Sequence, residues 1–356
     1  MKSSLTPNLG GDAKIDQNTF LLEPVSAENL VNNRNSRNFW CNVKGIGSWS
    51  LTGNAAEALS KKFTEMQDDS EVTAGFMWQK TTRESKKYQL RGEILSFIPV
   101  EKNVEVMLVT ITNTGRMAQT VTPTAAIPLY ERSADNIRDH RHVTSLLHRI
   151  ETTDTGVLVT PTLSFDERGH QVNHMTYYCV GWSGNGENPV DFYPTAEDFV
   201  GEGGNFERPY AIVKNAEGVK AGTRIEGLEA VGGLHFSEVT LEPEEECSYL
   251  IFTGITEDIQ EIRNLSKTYT TREMVLEELE KTKAYWQEKV NVAYHTGDSD
   301  FNQFMHWVSF QPILRRIYGC SFLPHHDYGK GGRGWRDLWQ DCLALLIMNP
   351  DGVRQM

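Results

Sequence analysis

"VEVMLVTITNTGRMAQTVTPTAAIPLY", residues 104 to 130, decides how most of the chain is read. Val104, Val106, Leu108 and Thr110 alternate with Glu105, Met107, Val109 and Ile111, the period-two pattern of an extended strand. Asn113, Thr114 and Gly115 supply a turn and a second run follows from Met117 to Val121, so the stretch is predicted to be an antiparallel hairpin. Outward from it, between about residues 36 and 255, similar runs rich in Val, Ile, Thr, Tyr and Phe are separated by Gly, Asn, Asp and Pro. They include "KYQLRGEILSFIPV", "TGVLVTPTL", "MTYYCVGW" and "SEVTLEPEEECSYLIFTGI", the last being two strands joined by an acidic turn. With scarcely any helical period among them, these runs predict a large antiparallel β-sandwich.

The period then changes. "TTREMVLEELEKTKAYWQEKV" sets Thr270 three residues before Glu273, a capping-box spacing, and places Val275, Leu279, Trp286 and Val290 near one helical face with charges opposite. It reads as an exposed linker helix. Asp298 or Ser299 can cap a second helix, "FNQFMHWVSFQPILRRIY", which Pro312 should kink or divide. A third is expected over Trp335 to Met348, and Asn349 followed by Pro350 offers the start of a fourth. No cap follows before Met356, so the sequence reads as a segment of something longer, ending inside a helical domain. The partition is an N-terminal extension (1–35), a β-sandwich (36–258), a helical linker (259–297) and the first helices of a further domain (298–356), a multidomain chain that is β and then α.

Composition narrows the classes of function. The 356 residues, 39% of them apolar, suit a soluble globular protein of about two domains. A net charge of −13, from dispersed acids and short runs such as Glu244, Glu245 and Glu246, disfavours a nucleic-acid partner. Cys41, Cys179, Cys247, Cys320 and Cys342 are scattered and form no C-x-x-C pair, as expected of free thiols in a reducing compartment and not of disulfides or a zinc site. The start, "MKSSLTPNLGGDAKIDQ", lacks the apolar stretch of a secretory signal, and no window approaches eighteen apolar residues. A cytoplasmic protein with no membrane partner and no metal is the expectation.

The chemistry concentrates in "HHDYGKGGRGWRDLWQDCLALLIM", residues 325 to 348. Arg336, Asp337, Gln340 and Asp341 share one helical face near the helix start, and Cys342 to Met348 leave almost no polar face, as expected of a helix packed on all sides. Charges on such a helix must be paired or must line a cavity. Two readings stand side by side. Arg336, Asp337 and Asp341 form a structural ion-pair network, or they form a ligand site in which carboxylates accept hydrogen bonds from hydroxyls and Trp335 and Trp339 offer flat apolar surface. Polyols and sugars need both kinds of contact.

Gly329 to Gly334 match G-x-G-x-x-G, but the loop follows a helical region with no βαβ unit around it, which argues against a dinucleotide. Lys330, Arg333, close-approaching glycine backbone and the positive end of the next helix instead suit an anion such as phosphate. His325 and His326 beside Asp327 lack a third ligand at metal spacing, leaving a hydrogen-bonding or structural role. "RDHRH", residues 138 to 142, reads as a solvated loop, and Phe39-Trp40 and Phe76-Met77-Trp78 as sandwich core or domain contact.

"GRGWRDLWQD" resembles the R-D-x-x-Q-D signature near the start of the helical barrel in glycoside hydrolase family 94, the inverting phosphorylases of β-linked gluco-oligosaccharides. Weaker likenesses run through "RNFWCNVKGIGSWSLTG", "VMLVTITNTGRMAQTV", "PTAEDFVGEGGNFERPYAIV" and "LEPEEECSYLIFTG". The longer "YGKGGRGWRDLWQD" resembles the 1,2-β-oligoglucan phosphorylase and cyclic β-1,2-glucan synthase branches. The resemblance implies a β-sandwich, a helical linker and an (α/α)6 barrel, here truncated. It implies that a general-acid aspartate protonates the glycosidic oxygen while phosphate, a co-substrate and not a bound cofactor, attacks the anomeric carbon from the opposite face. It implies that Asp337 holds hydroxyls of the −1 sugar with Arg336 as its motif neighbour, and that an earlier basic residue, Lys330 or Arg333, meets sugar or phosphate. Trp335 and Asp341 complete the expected binding set. The family's general acid falls beyond residue 356, so no residue here is assigned that role and the segment alone is expected to be inactive. A homodimer is likewise implied. Rival expectations are a non-catalytic carbohydrate-binding or structural sandwich, and a glycan hydrolase using water on the same architecture.

Overall fold

The computed structural model describes residues 1–26, 36–166, 169–318 and 335–356. Two antiparallel sheets face each other. The larger has nine strands, in the order Arg224–Glu226, Arg149–Thr152, Gly156–Val159, Thr176–Ser183, Glu246–Thr256, Val104–Asn113, Leu90–Phe97, Trp78–Ser85, Asp69–Gly75. The smaller runs Asp191–Thr195, Ala230–His235, Gln119–Pro128, Asn38–Val43, Gly47–Ser50, with Val239–Leu241 also paired to Gln119–Pro128.

The expected hairpin of residues 104 to 121 does not form. Val104–Asn113 pairs with Leu90–Phe97 and Glu246–Thr256 in the large sheet, whereas Gln119–Pro128 pairs with Asn38–Val43 and Ala230–His235 in the small one. The turn at Asn113 to Gly115 therefore carries the chain from one layer to the other. The reason lies in the two rows of Val104–Asn113, every residue of which is buried. Met107, Val109 and Ile111 face the inter-sheet core with Val121, Ala125 and Ile127 of the opposite layer. Val104, Val106 and Leu108 face outward under helices. A strand apolar on both sides gains more from a central, doubly covered position than from a two-stranded ribbon with one wet face. Pro123, which cannot donate to a ladder, sits where the partners Ala230–His235 and Val239–Leu241 leave a gap beside Gln119–Pro128. Gly232 lets the sheets approach, since a Cβ there would stand 2.7 Å from Cys179 Sγ of the facing layer.

Eight helices are present among the described residues: α1 (Ala56–Ser60), α2 (Arg141–Ser145), α3 (Ala196–Val200), α4 (Tyr210–Lys214), α5 (Ile259–Thr268), α6 (Arg272–Lys289), α7 (Ser299–Tyr318) and α8 (Trp335–Met348). Side chains of α3 and α4, Phe199, Ala211 and Ile212, cover Trp40 and Tyr193 on the outer face of the small sheet. α5 and α6 cover the large one through Ile262, Leu265, Val275 and Leu279. Asp258 caps α5 by accepting from the Gln260 N–H, and Asp298 caps α7 by accepting from Asp300 and Phe301 at 2.9 and 3.1 Å.

Some helix expectations shift. The N-cap of α6 is Thr271, one residue after the Thr270 of the capping-box reading, and Thr270 Oγ1 instead bonds Met274 Sδ. α7 runs through Pro312 as one element. The fourth helix is reduced to a 3-10 turn, Val353–Gln355, because Gly352 takes a left-handed φ of 76° that ends α-continuation. The segment expected as an N-terminal extension supplies the small sheet Lys2–Ser3, Ala13–Asp16, Thr19–Leu22, and Leu9, Ala13, Leu21 and Leu22 enter the inter-sheet core. Cys41, Cys179, Cys247 and Cys342 are free thiols; Cys320 lies outside the described residues. Among the described residues no helix is long and apolar enough to cross a membrane.

Candidate functional site

The turn between the strands Asp69–Gly75 and Trp78–Ser85 fastens the helical region to the sandwich. Phe76 projects from it, stacked on Phe310 of α7 at 4.4 Å and meeting Trp307 edge-on at 4.8 Å. Val290, Ile313 and Leu345 complete this cluster, so Phe76 joins the strand turn to α7 and α8. Met77 holds a left-handed φ of 64°, and a Cβ at Gly75 would collide with the Trp78 indole nitrogen. A side chain at 75 would therefore require the Trp78 indole to shift.

α8 docks on α7 by one stripe: Asp341, Leu345 and Met348 are its buried residues. Asp341, 2% exposed, accepts from Arg315 Nε at 2.7 Å and is also paired with the Arg315 Nη2. Both donors meet the same oxygen, Oδ1, and this charge-assisted contact offsets the burial of the carboxylate. Arg316 beside it donates to the Asp351 carbonyl at 2.8 Å. Thus α8 is held by apolar contact along its length and by one ion pair at its middle.

The first turn of α8 faces outward. Trp335, Arg336 and Asp337 are exposed, and Trp335 and Trp339 stand with ring centroids 6.3 Å apart. Arg336 and Asp337 make no hydrogen bond or ion pair with any described residue. A carboxylate in the first turn is also favoured by the helix dipole. The structure therefore divides the expected cluster: Trp335, Arg336, Asp337 and Trp339 are together at the open end, while Asp341 turns inward to Arg315. Lys330, Arg333, His325 and His326 lie outside the described residues. Sequence reasoning did not single out Arg315 as a partner; the paired arginines closing "FQPILRRIY" were the signal.

Among the described residues α8 is packed on one side. Leu343, Leu346 and Ile347 are 65%, 58% and 76% exposed, because α7 and the terminal 3-10 turn cover only the opposite stripe. The chemistry available at the open end is that of an acceptor-only carboxylate, a planar five-donor guanidinium and two indole faces. That set matches hydroxyl groups and the apolar face of a pyranose ring.

A cleft of about 570 Å³ lies nearby, between the first strands, the end of the large sheet and α6, walled by Trp78, Phe97, Tyr285 and Trp286. Two of its charged side chains are engaged, Glu105 with Arg37 and Lys102 with the Tyr269 hydroxyl at 2.5 Å.

A family model described as glycosyl hydrolase 94, supersandwich domain, matches residues 24–272. A 3-O-β-D-glucopyranosyl-β-D-glucuronide phosphorylase of Paenibacillus borealis is 23% identical over 290 residues, 76% of this chain and 33% of that protein. Among solved structures, a bacterial glucoamylase complexed with acarbose aligns with a TM-score of 0.41 at 9% identity, over 78% of this chain and 32% of that one. A structure described as a kojibiose phosphorylase from human microbiome aligns with a TM-score of 0.36 at 9% identity, over the same shares. The chain spans about a third of the length of these proteins.

Proposed function

The chain belongs to the glycosyl hydrolase 94 family through its supersandwich domain, and on that premise we propose that it forms part of an inverting glycoside phosphorylase. In this reading α7 and α8 are the first helices of an (α/α)6 barrel, and the open end of α8 is part of its −1 sugar subsite. The single observation that carries it is the neighbouring Arg336 and Asp337, which make no hydrogen bond or ion pair with any described residue and are flanked by Trp335 and Trp339 at an exposed helix start. Asp341, by contrast, is paired with Arg315.

The roles follow from side-chain chemistry. Asp337 accepts hydrogen bonds from sugar hydroxyls, Arg336 donates to sugar or phosphate oxygens, and Trp335 lies against the ring's C–H face. Lys330 or Arg333 supplies positive charge for inorganic phosphate. Phosphate attacks the anomeric carbon of a β-linked gluco-oligosaccharide from the face opposite the leaving group. The products are α-glucose 1-phosphate and a sugar one unit shorter. No residue of the chain is assigned as general acid. We place the protein in the cytoplasm, on the free thiols, and expect a homodimer.

The test is to express the complete reading frame and measure phosphate release from α-glucose 1-phosphate with sophorose, cellobiose, laminaribiose or glucuronic acid as acceptor. The last is included because the Paenibacillus relative is named for a glucosyl-glucuronide. Release with one acceptor establishes the reaction and its linkage. Cleavage of oligosaccharide without any phosphate requirement would make it a hydrolase, and sugar binding without turnover a binding module.

A further inference from the structure

The strands Gln119–Pro128 and Arg149–Thr152 are joined by a surface excursion containing a 3-10 turn, Ala134–Arg138, and α2. Its two ends meet inside the protein. Glu131, on entry, and His148, on exit, have side chains 0% and 1% exposed, with Glu131 Oε2 and His148 Nε2 3.5 Å apart. That is too long for a good direct hydrogen bond. Neither carboxyl oxygen of Glu131 nor His148 Nε2 has a hydrogen-bond partner among the described residues. Glu131 also holds a left-handed φ of 53°, a cost that a non-glycine residue bears only where its surroundings fix it.

The other imidazole nitrogen settles the tautomer. His148 Nδ1 lies 3.2 Å from the Leu228 carbonyl oxygen, which can only accept, so Nδ1 carries the proton and Nε2 of a neutral ring is an acceptor. Both side chains line a small cavity of about 10 Å³, whose wall also includes Arg132, Asn136, Thr144 and Ser164. An interior polar space of about one probe sphere, with two to four polar partners, is the setting in which proteins hold a water.

We propose that this cavity is an internal water site, and that Glu131, the water and His148 form a one-proton latch closing the neck of the loop 132–147. The Glu131 carboxyl O–H donates to the water, the water donates to His148 Nε2, and Nδ1–H donates to Leu228. The loop so closed carries "RDHRH", with the His140 and His142 rings 5.6 Å apart and Arg141 anchored to Glu23.

The electrostatics agree with one proton on the pair. Burial pushes the Glu131 carboxyl well up, against the pull of Arg132 and with the help of Glu229. Burial, then Arg132 and Arg149, push His148 down to about 3. Tyr177 is the further titratable group that feels Glu131, and burial holds its phenol protonated. Between the ordinary values of 4.5 for the acid and 6.5 for the ring, an opened loop also carries one proton, on the imidazole, so pH has no leverage. Above the ring's ordinary value the opened pair carries none and the closed pair one. Opening therefore grows easier as pH rises, by up to about tenfold per pH unit.

The experiment is a long-range proton–nitrogen NMR correlation of His148 over roughly pH 5 to 8, with tryptic cleavage after Arg141 in the wild type and in Glu131→Gln. The expected result is a neutral, Nδ1-protonated ring throughout, and wild-type cleavage that accelerates with pH relative to Glu131→Gln, whose amide cannot ionise. A doubly protonated ring near neutrality would make the pair an ion pair and overturn the proposal. So would identical pH profiles in the two proteins. If Glu131→Gln does not fold, the wild-type ring spectrum decides alone.

Discussion

The outer face of the nine-stranded sheet and the outer face of α8 are both built from large apolar side chains, and they end differently. On the sheet, Val106, Leu108 and Phe252 disappear beneath Ile262, Leu265, Val275 and Leu279 of α5 and α6. On α8, Trp335, Trp339, Leu343, Leu346 and Ile347 stay between 58% and 80% exposed. The first region closes its cores with elements from its own chain. The second carries more apolar surface than its described neighbours cover, and contiguous surface of that kind marks an interaction face. On the proposed reading, further barrel helices are what lies against it.

The two regions also use a buried ion pair each, which gives the largest expected effect. Arg37, wholly buried, bonds Glu105 Oε1 at 2.5 Å and donates to the carbonyls of Gly11 and Asp12 at 3.0 and 3.2 Å, tying the first residues to the sandwich. Arg37→Met leaves the Glu105 carboxylate buried without its partner and should cost about 3–5 kcal/mol in urea unfolding of the sandwich. Arg315→Met should cost less, since Arg315 is 27% exposed and solvent already screens part of its pairing with Asp341. Equal losses in one shared transition would break the distinction between a closed sandwich and a loosely held helical region.

Next in size is the junction. Phe76→Ala removes the ring that stacks on Phe310 and should cost about 3 kcal/mol, the lower end for such a truncation because one flank of the turn is wet. The loss should be read in the helices alone, as an earlier melt of the helical circular-dichroism signal with the strand transition unmoved. A single cooperative shift of both signals would show that the sandwich depends on the helices as well as supporting them.

How far sequence went depended on the range of the interaction. Strand positions are written locally: the alternation of residues 104 to 111 and the turn at Asn113 to Gly115 are where sequence places them. The layer to which each strand belongs is not local. Val104–Asn113 pairs with Glu246–Thr256, and nothing near residue 113 announces a partner so far along the chain. The clue was present in the unbroken apolar character of both strand faces, which a half-exposed hairpin does not need. At the candidate site, Asp337 and Asp341 share a face by spacing, yet one is exposed and the other buried, because Arg315 of α7 reaches only the second. A rule of helical period treats those two aspartates alike, and a contact 26 residues away separates them.

That separation yields the smallest stability effect and the sharpest functional one. Asp337 is exposed and makes no hydrogen bond or ion pair with a described residue, so Asp337→Ala should change unfolding free energy by no more than about 0.5 kcal/mol. In the complete protein the same change removes a charged acceptor from sugar hydroxyls. A hydrogen bond to a charged group is worth about 1.5–3 kcal/mol, so kcat/KM for phosphorolysis should fall by roughly ten- to hundredfold or more. Stability untouched with turnover lost would make the open end of α8 a binding surface. Turnover kept, or a destabilisation as large as that of Phe76→Ala, would return Arg336 and Asp337 to the structural network that the spacing alone also allowed.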